Sequence, residues 1–185
     1  MKEIYIDVET TGTRWWENTI HQIGLLIDID GIQTESHDLK VKPIEGKIIE
    51  PKALEISGKT MADLDTYPSA SLVKAQLSEI TDKYIDKYDK TDKFHIIGYN
   101  VHFDIAFLRQ FYLDMGDTYY GSIFWADAID VMVLASNKLK DIRHKMKNFQ
   151  LKTVAQTVGI QVDESRLHDA IYDLELTKEL YNILK

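Results

Sequence analysis

Ile4-Tyr5-Ile6-Asp7-Val8-Glu9-Thr10-Thr11-Gly12 is the stretch on which the reading of this chain turns. Apolar and polar residues alternate from Ile4 to Val8, the pattern of a strand. Strand side chains alternate faces, so Asp7 and Glu9 share one side, roughly 6.5–7 Å apart along the strand. Ile4, Ile6 and Val8 take the other side. A strand whose second face meets water explains this alternation as well as a functional site does. Thr10, Thr11 and Gly12 shift the balance, because a tight turn brings hydroxyls and backbone N–H groups close to the carboxylates.

Two further stretches put acids where apolar residues belong. In Gly98-Tyr99-Asn100-Val101-His102-Phe103-Asp104-Ile105-Ala106-Phe107-Leu108, helical spacing places Asp104 on one face with Phe107, Leu108 and Phe111. Burying an ionised carboxylate without a partner costs several kcal/mol or more. A helix cap or a nearby lysine is the ordinary remedy; a metal ion is the sharper one. In Leu167-His168-Asp169-Ala170-Ile171-Tyr172-Asp173, Asp169 suits a helix cap. Asp173 heads a stripe continued by Leu176 and Leu180. His168, just ahead of that helix, carries no weight alone. Asp and Glu are almost never fully buried unless paired, and none of these motifs contains Lys or Arg up to its carboxylates. A shared pair of divalent cations accounts for all of them together. With oxygen ligands and no cysteine in the chain, magnesium or manganese is expected rather than a structural zinc.

Around these motifs the patterns predict strands at Ile4–Val8, Ile20–Ile29 and about Gln33–Val41. The turn Asp28-Ile29-Asp30-Gly31 joins the last two as a hairpin. A short helix follows Pro51 and a longer one covers about Ala70–Tyr88. Phe94–Gly98 reads as a buried strand feeding a helix over about Val101–Leu113, and Ile123–Ala126 as a weaker fifth strand. Helices over about Ala128–Lys138, Leu151–Val158 and Asp169–Leu184 close the chain. Three strands followed by alternating helix and strand imply an α/β layer with a mixed sheet.

Length and composition bound the rest. A chain of 185 residues, 44% apolar and 28% charged, suits one soluble domain with a full core. No run of about 18 apolar residues predicts a membrane span, and the opening lacks the apolar region of a signal peptide. A cytoplasmic protein without membrane attachment is the expectation. The missing cysteine excludes disulfides, thiolate zinc sites and cysteine nucleophiles. A formal net charge of −8 argues against a long footprint on duplex DNA, because phosphate contacts favour basic surfaces. Bound dications reverse that argument locally.

At the quoted residues the chain resembles the DEDDh 3′–5′ exonuclease family, which includes polymerase proofreading subunits, oligoribonucleases and RNase T. Asp7-Val8-Glu9-Thr10-Thr11-Gly12 is similar to its first motif and Gly98 to Asp104 to its second. His168 and Asp173, four residues intervening, are similar to its third. The resemblance implies an RNase H-like three-layer fold, a mixed five-stranded sheet flanked by helices, with residues 1–185 as a single exonuclease domain. It also implies that Asp7, Glu9, Asp104 and Asp173 hold two Mg²⁺ or Mn²⁺ ions, and that His168 is the general base. Thr10, Thr11, Gly12 and Asn100 are then expected at the terminal nucleotide. Where the family commonly has an aliphatic residue after His or Asn and Gly, this chain reads Ser57-Gly58-Lys59. That departure puts the wall of the terminal-nucleotide pocket in doubt.

Other expectations concern the substrate. Trp15, beside Trp16 in the loop after the first motif, is a candidate for stacking on unpaired bases or for sealing that loop. Lys140, Arg143 and Lys145 belong to the one basic cluster. It is expected either to track the phosphates of an incoming strand or to be a solvated helix end. The leading reading is removal of nucleoside 5′-monophosphates from single-stranded or frayed DNA 3′ ends, with a polymerase as a candidate partner. A 3′–5′ exoribonuclease is the nearest alternative, and a non-catalytic nucleic-acid or polymerase-binding module the more distant one.

Overall fold

In the computed structural model, which describes residues 1–167 and 169–185, β1 (Lys2–Thr10), β2 (Ile20–Ile29) and β3 (Ile32–Lys40) form an antiparallel meander. Asp30 and Gly31 both take positive φ, 52° and 83°. Two left-handed residues in succession match the twist of a two-residue hairpin loop, which is why Asp-Gly joins these strands. Three helices follow: α1 (Pro51–Ser57), α2 (Met61–Asp65) and α3 (Ala70–Asp82). β4 (His95–Gly98) then adds parallel to β1 and leads into α4 (His102–Asp114). The short α5 (Tyr120–Ile123), β5 (Ile129–Asp130) and α6 (Val131–Lys138) come next, before α7 (Leu151–Thr157) and α8 (Ala170–Leu184). The sheet order is β3-β2-β1-β4-β5, the expected mixed five-stranded sheet with β1 at its centre.

Both faces of β1 are covered. Ile4, Ile6 and Val8 enter a core with Val73 and Leu77 of α3 and Phe107, Leu108 and Phe111 of α4. Tyr5 enters a second core with Val131 of α6, Val154 of α7 and Leu176 and Leu180 of α8. The face that carries Asp7 therefore looks at a helical layer, and the water-facing alternative is corrected. Two helical layers around one sheet complete the RNase H-like arrangement.

Three boundaries depart from the sequence patterns. Ile123–Ala126 is not a strand: Ile123 ends α5, and Phe124 makes only a single parallel bridge to Phe94. Phe124 instead fills the core against Tyr112 and Tyr120, a role that a short apolar run signals no differently from a strand. The helix expected to reach Tyr88 stops at Asp82, where the N–H groups of Tyr84 and Ile85 both close on the Thr81 carbonyl. Helix α6 starts at Val131 rather than Ala128 because Asp130 caps it, its carboxylate accepting from Met132 N at 2.9 Å. No helix among the described residues is long and apolar enough to cross a membrane.

Candidate active site

The acids are delivered by three separate elements. Asp7 and Glu9 lie toward the end of β1, Asp104 in the first turn of α4 and Asp173 in the first turn of α8. Local chemistry explains each placement. Parallel pairing between β1 and β4 covers only Glu3–Tyr5, because the chain leaves the sheet at Gly98. The Val8 N–H beyond that point donates to Asp104 Oδ1 at 2.9 Å, which ties α4 to the central strand. A Cβ on Gly98 would meet Val101 Cγ2 at 2.7 Å and the Ile6 carbonyl at 3.0 Å, so only glycine permits this crossing. Asn100 follows at φ 58°, a left-handed conformation that Asn tolerates better than most residues. Its N–H donates to Asp130 Oδ1 at 3.0 Å. Asp130 thus caps α6 and holds the turn that opens α4.

Helix α8 reaches the sheet through another glycine. Gly24 pairs with Asp7 across β1 and β2, and a Cβ there would meet Ala170 Cβ at 2.9 Å. The bare backbone at Gly24 lets the start of α8 settle beside Asp7, with Asp169 capping by accepting from Tyr172 N at 3.0 Å.

Electrostatics record the resulting convergence. Burial first, then the charges of Asp104, Glu9 and Asp173, hold the Asp7 carboxyl well above the ordinary carboxylate range. Burial pushes Glu9 up to about 7, with Asp173 adding to the effect and Lys40 and Lys59 opposing it. Asp104, 5% exposed, is also raised by burial, against the pull of the Val8 N–H, with Glu9 and Asp130 adding to the rise. Buried acids held this close to other acids need cations to carry their charge. Their hard oxygen donors, with no thiolate in the chain, fit magnesium or manganese. Among the described residues no three acid or imidazole groups already stand at metal-ligand spacing, so the grouping is an electrostatic one rather than a finished coordination shell.

The remaining expected residues fall into distinct settings. His168 lies outside the described residues. Thr10 donates its hydroxyl to the Gly12 carbonyl at 2.7 Å. Thr11 is buried, its hydroxyl donating to the Ile48 carbonyl at 2.8 Å and accepting from Thr19 N at 3.0 Å. With its hydroxyl engaged on both sides, Thr11 braces the loop that follows β1. Gly12 is buried against Asn18, whose side chain a Cβ would meet at 2.4 Å. Asn100 is exposed. Trp15 and Trp16 pack edge to face at 5.3 Å and stay 42% and 55% exposed, so neither seals the loop completely. Lys140, Arg143 and Lys145 are exposed beyond α6. Arg143 lies over the Phe149 ring at 4.6 Å, and the Phe149 carbonyl accepts from Tyr99 Oη at 2.6 Å, which brings this segment toward Asn100.

Sequence reasoning missed a second group, Lys40 and Lys59, whose charges reach Glu9. Lys40 ends β3 and Lys59 follows the left-handed Gly58 that stops α1. The one available signal was the unusual Ser57-Gly58-Lys59.

Comparison with known proteins places these features in context. The exonuclease family model that carries the name of RNase T matches residues 4–181. Ribonuclease T of Shewanella denitrificans is 27% identical over 186 residues, covering 96% of this chain and 77% of that protein. A PolC-type DNA polymerase III of Clostridium perfringens is 25% identical over 178 residues, covering 96% of this chain and 11% of the polymerase. In fold, the zinc-bound complex of E. coli exonuclease I with single-stranded DNA matches all of this chain with a TM-score of 0.78 at 20% identity. This chain spans 40% of that exonuclease.

Proposed function

This chain belongs to the exonuclease family, and from that membership we propose that it is a metal-dependent 3′–5′ exonuclease that releases nucleoside 5′-monophosphates from single-stranded or frayed DNA ends. The observation that carries this reading is the convergence of buried acids from β1, α4 and α8: on top of burial, Asp104, Glu9 and Asp173 raise Asp7, Asp173 raises Glu9, and Glu9 raises Asp104. Residues 1–185 act in this reading as one catalytic domain, in the cytoplasm, with two bound Mg²⁺ or Mn²⁺ ions. Asp7, Glu9, Asp104 and Asp173 would hold those ions, which supply charge neutralisation at the phosphoryl oxygens and a more acidic water.

The chain's own groups do the rest. His168 accepts the proton of the attacking water as neutral imidazole, the side chain that most often serves as a general base. Asp104 is oriented by the Val8 N–H, and Asn100, fixed in its left-handed turn by Asp130, would contact the terminal nucleotide. Trp15 offers an exposed ring to an unpaired base.

DNA is favoured by the relatives that act in its context: the C. perfringens match is a DNA polymerase and the E. coli exonuclease I complex holds single-stranded DNA. An exoribonuclease is the second reading, supported by the ribonuclease T match. A polymerase partner belongs to the first of these readings. Digesting 5′-labelled DNA and RNA oligomers with Mg²⁺ or Mn²⁺, with and without EDTA, tests both. The expected result is a DNA ladder that shortens from the 3′ end and stops in EDTA. Asp7→Ala should abolish nucleotide release with the fold retained, and His168→Ala should lose about 10²–10⁴-fold in rate. Normal digestion by Asp7→Ala would overturn the site.

A further inference from the structure

Lysines converge beside the acids in a chain whose net charge is −8. Gln22, Lys40, Lys59, Ser165, Arg166 and Asp169 line a polar cleft of about 280 Å³. That is near the lower edge of pockets that take small ligands, ~300–1,000 Å³. The cleft adjoins the acidic centre: Gln22 pairs with Glu9 across β1 and β2, and Asp169 caps the helix that carries Asp173. Several of its charges already have partners. Lys40 pairs with Asp38 at 3.0 Å, and Arg166 reaches Glu175 at 3.4 Å while lying over the Tyr172 ring at 4.3 Å. The Asp169 carboxylate is engaged by Tyr172 N. Lys59 has no ion-pair partner among the described residues, yet its backbone is fixed, its N–H donating to the Leu54 carbonyl at 3.1 Å across the Gly58 turn. An anchored lysine without a carboxylate, with two further cations sharing its cleft, is a receptor for an oxyanion.

We propose that Lys59, with Lys40 and Arg166, forms a phosphate subsite beside the acidic centre, for a phosphodiester of the substrate strand or for the phosphate monoester of the released nucleotide. The identity of the ligand rests on the exonuclease reading; the anion chemistry does not. Lys59 gives this wall of the site a charge that draws phosphate, where an aliphatic residue would offer only contact to a base or sugar.

The test is calorimetric titration of the full chain in EDTA at several KCl concentrations, with thymidine 5′-monophosphate and with a short oligothymidylate bearing a 3′-hydroxyl. Lys59→Met should weaken at least one ligand about tenfold. If the ligand affected is the oligonucleotide, the slope of log affinity on log salt should fall by about 0.7, the share of one single-strand phosphate contact. Lys59→Arg should restore binding. Lys87→Met removes the same charge from a residue paired with Asp82, in the segment bonded by Lys2 at the far end of β1, and should change neither ligand. Weakened monophosphate assigns the subsite to the product; weakened oligonucleotide with unaltered monophosphate assigns it to the strand. Equal binding by the Lys59→Met and Lys87→Met proteins overturns the proposal, as does failure of the unaltered chain to bind either ligand. Because no hydrolysis is involved, an absence of strand shortening with Mg²⁺ would sink the exonuclease reading while leaving this measurement to stand alone.

Discussion

His21 lies on β2 with none of its surface exposed, and neither ring nitrogen has a hydrogen-bond partner on another described residue. Burial, then the charge of Lys40, lowers its pKa from 6.5 to about 4, with Lys59 adding to the effect and its own backbone opposing it. Between those values the unfolded chain binds a proton that the folded chain refuses. Stability therefore falls as pH drops from 6.5 to about 4, by ~3 kcal/mol at most, and the loss is complete below that window. His21→Leu should remove this part of the pH dependence in urea unfolding from pH 7 to pH 4; an unchanged profile would refute the assignment. At this level the acids were legible early. The sharing of one strand face by Asp7 and Glu9, and the burial of Asp104 on an apolar stripe, follow from periods of two and 3.6 residues. The occupation of the Thr11 hydroxyl by Ile48 and Thr19 was not legible, since its acceptor lies in a distant segment.

Glycines set how closely the elements approach. Gly24→Ala would place a Cβ 2.9 Å from Ala170 Cβ and 3.1 Å from Leu174 Cδ1, so α8 must move outward. We expect a loss of about 1–3 kcal/mol in stability, as overpacking typically costs. Exonuclease rate should fall further than stability alone explains, because Asp173 travels with α8. Thermal unfolding and single-turnover digestion of one preparation would check this, and an unaltered rate in a destabilised protein would show that α8 tolerates the shift. Asp130→Ala should act similarly on α4: it leaves the N–H groups of Asn100 and Met132 without their acceptor, at a cost of about 1–3 kcal/mol. Circular dichroism melts would measure it. The strands of the meander were readable because each carries its own alternation and turn signal. Strand β5 was not, since Ile129–Asp130 is too short to show a period and is a strand only by lying against Ile97 and Gly98.

Across the molecule, charge is sorted rather than balanced. An acidic total coexists with cations gathered in two places, the cleft of Lys40 and Lys59 and the exposed segment from Lys140 to Lys145. If Lys140, Arg143 and Lys145 track an incoming strand, replacing all three with Ala should lower the salt slope of oligonucleotide binding by about 2. A slope equal to that of the parent would return the segment to the role of a solvated helix end. The chain alone specified the alternating first strand, the hairpin at Asp30-Gly31 and the acids that open two helices, because these depend on neighbours a few positions away. Folding in space settled the depth at which α8 docks over Gly24, the tie between Val8 and Asp104, and the nearness of Lys59 to Glu9. Those depend on contacts between segments remote in sequence, whose spacing only packing sets.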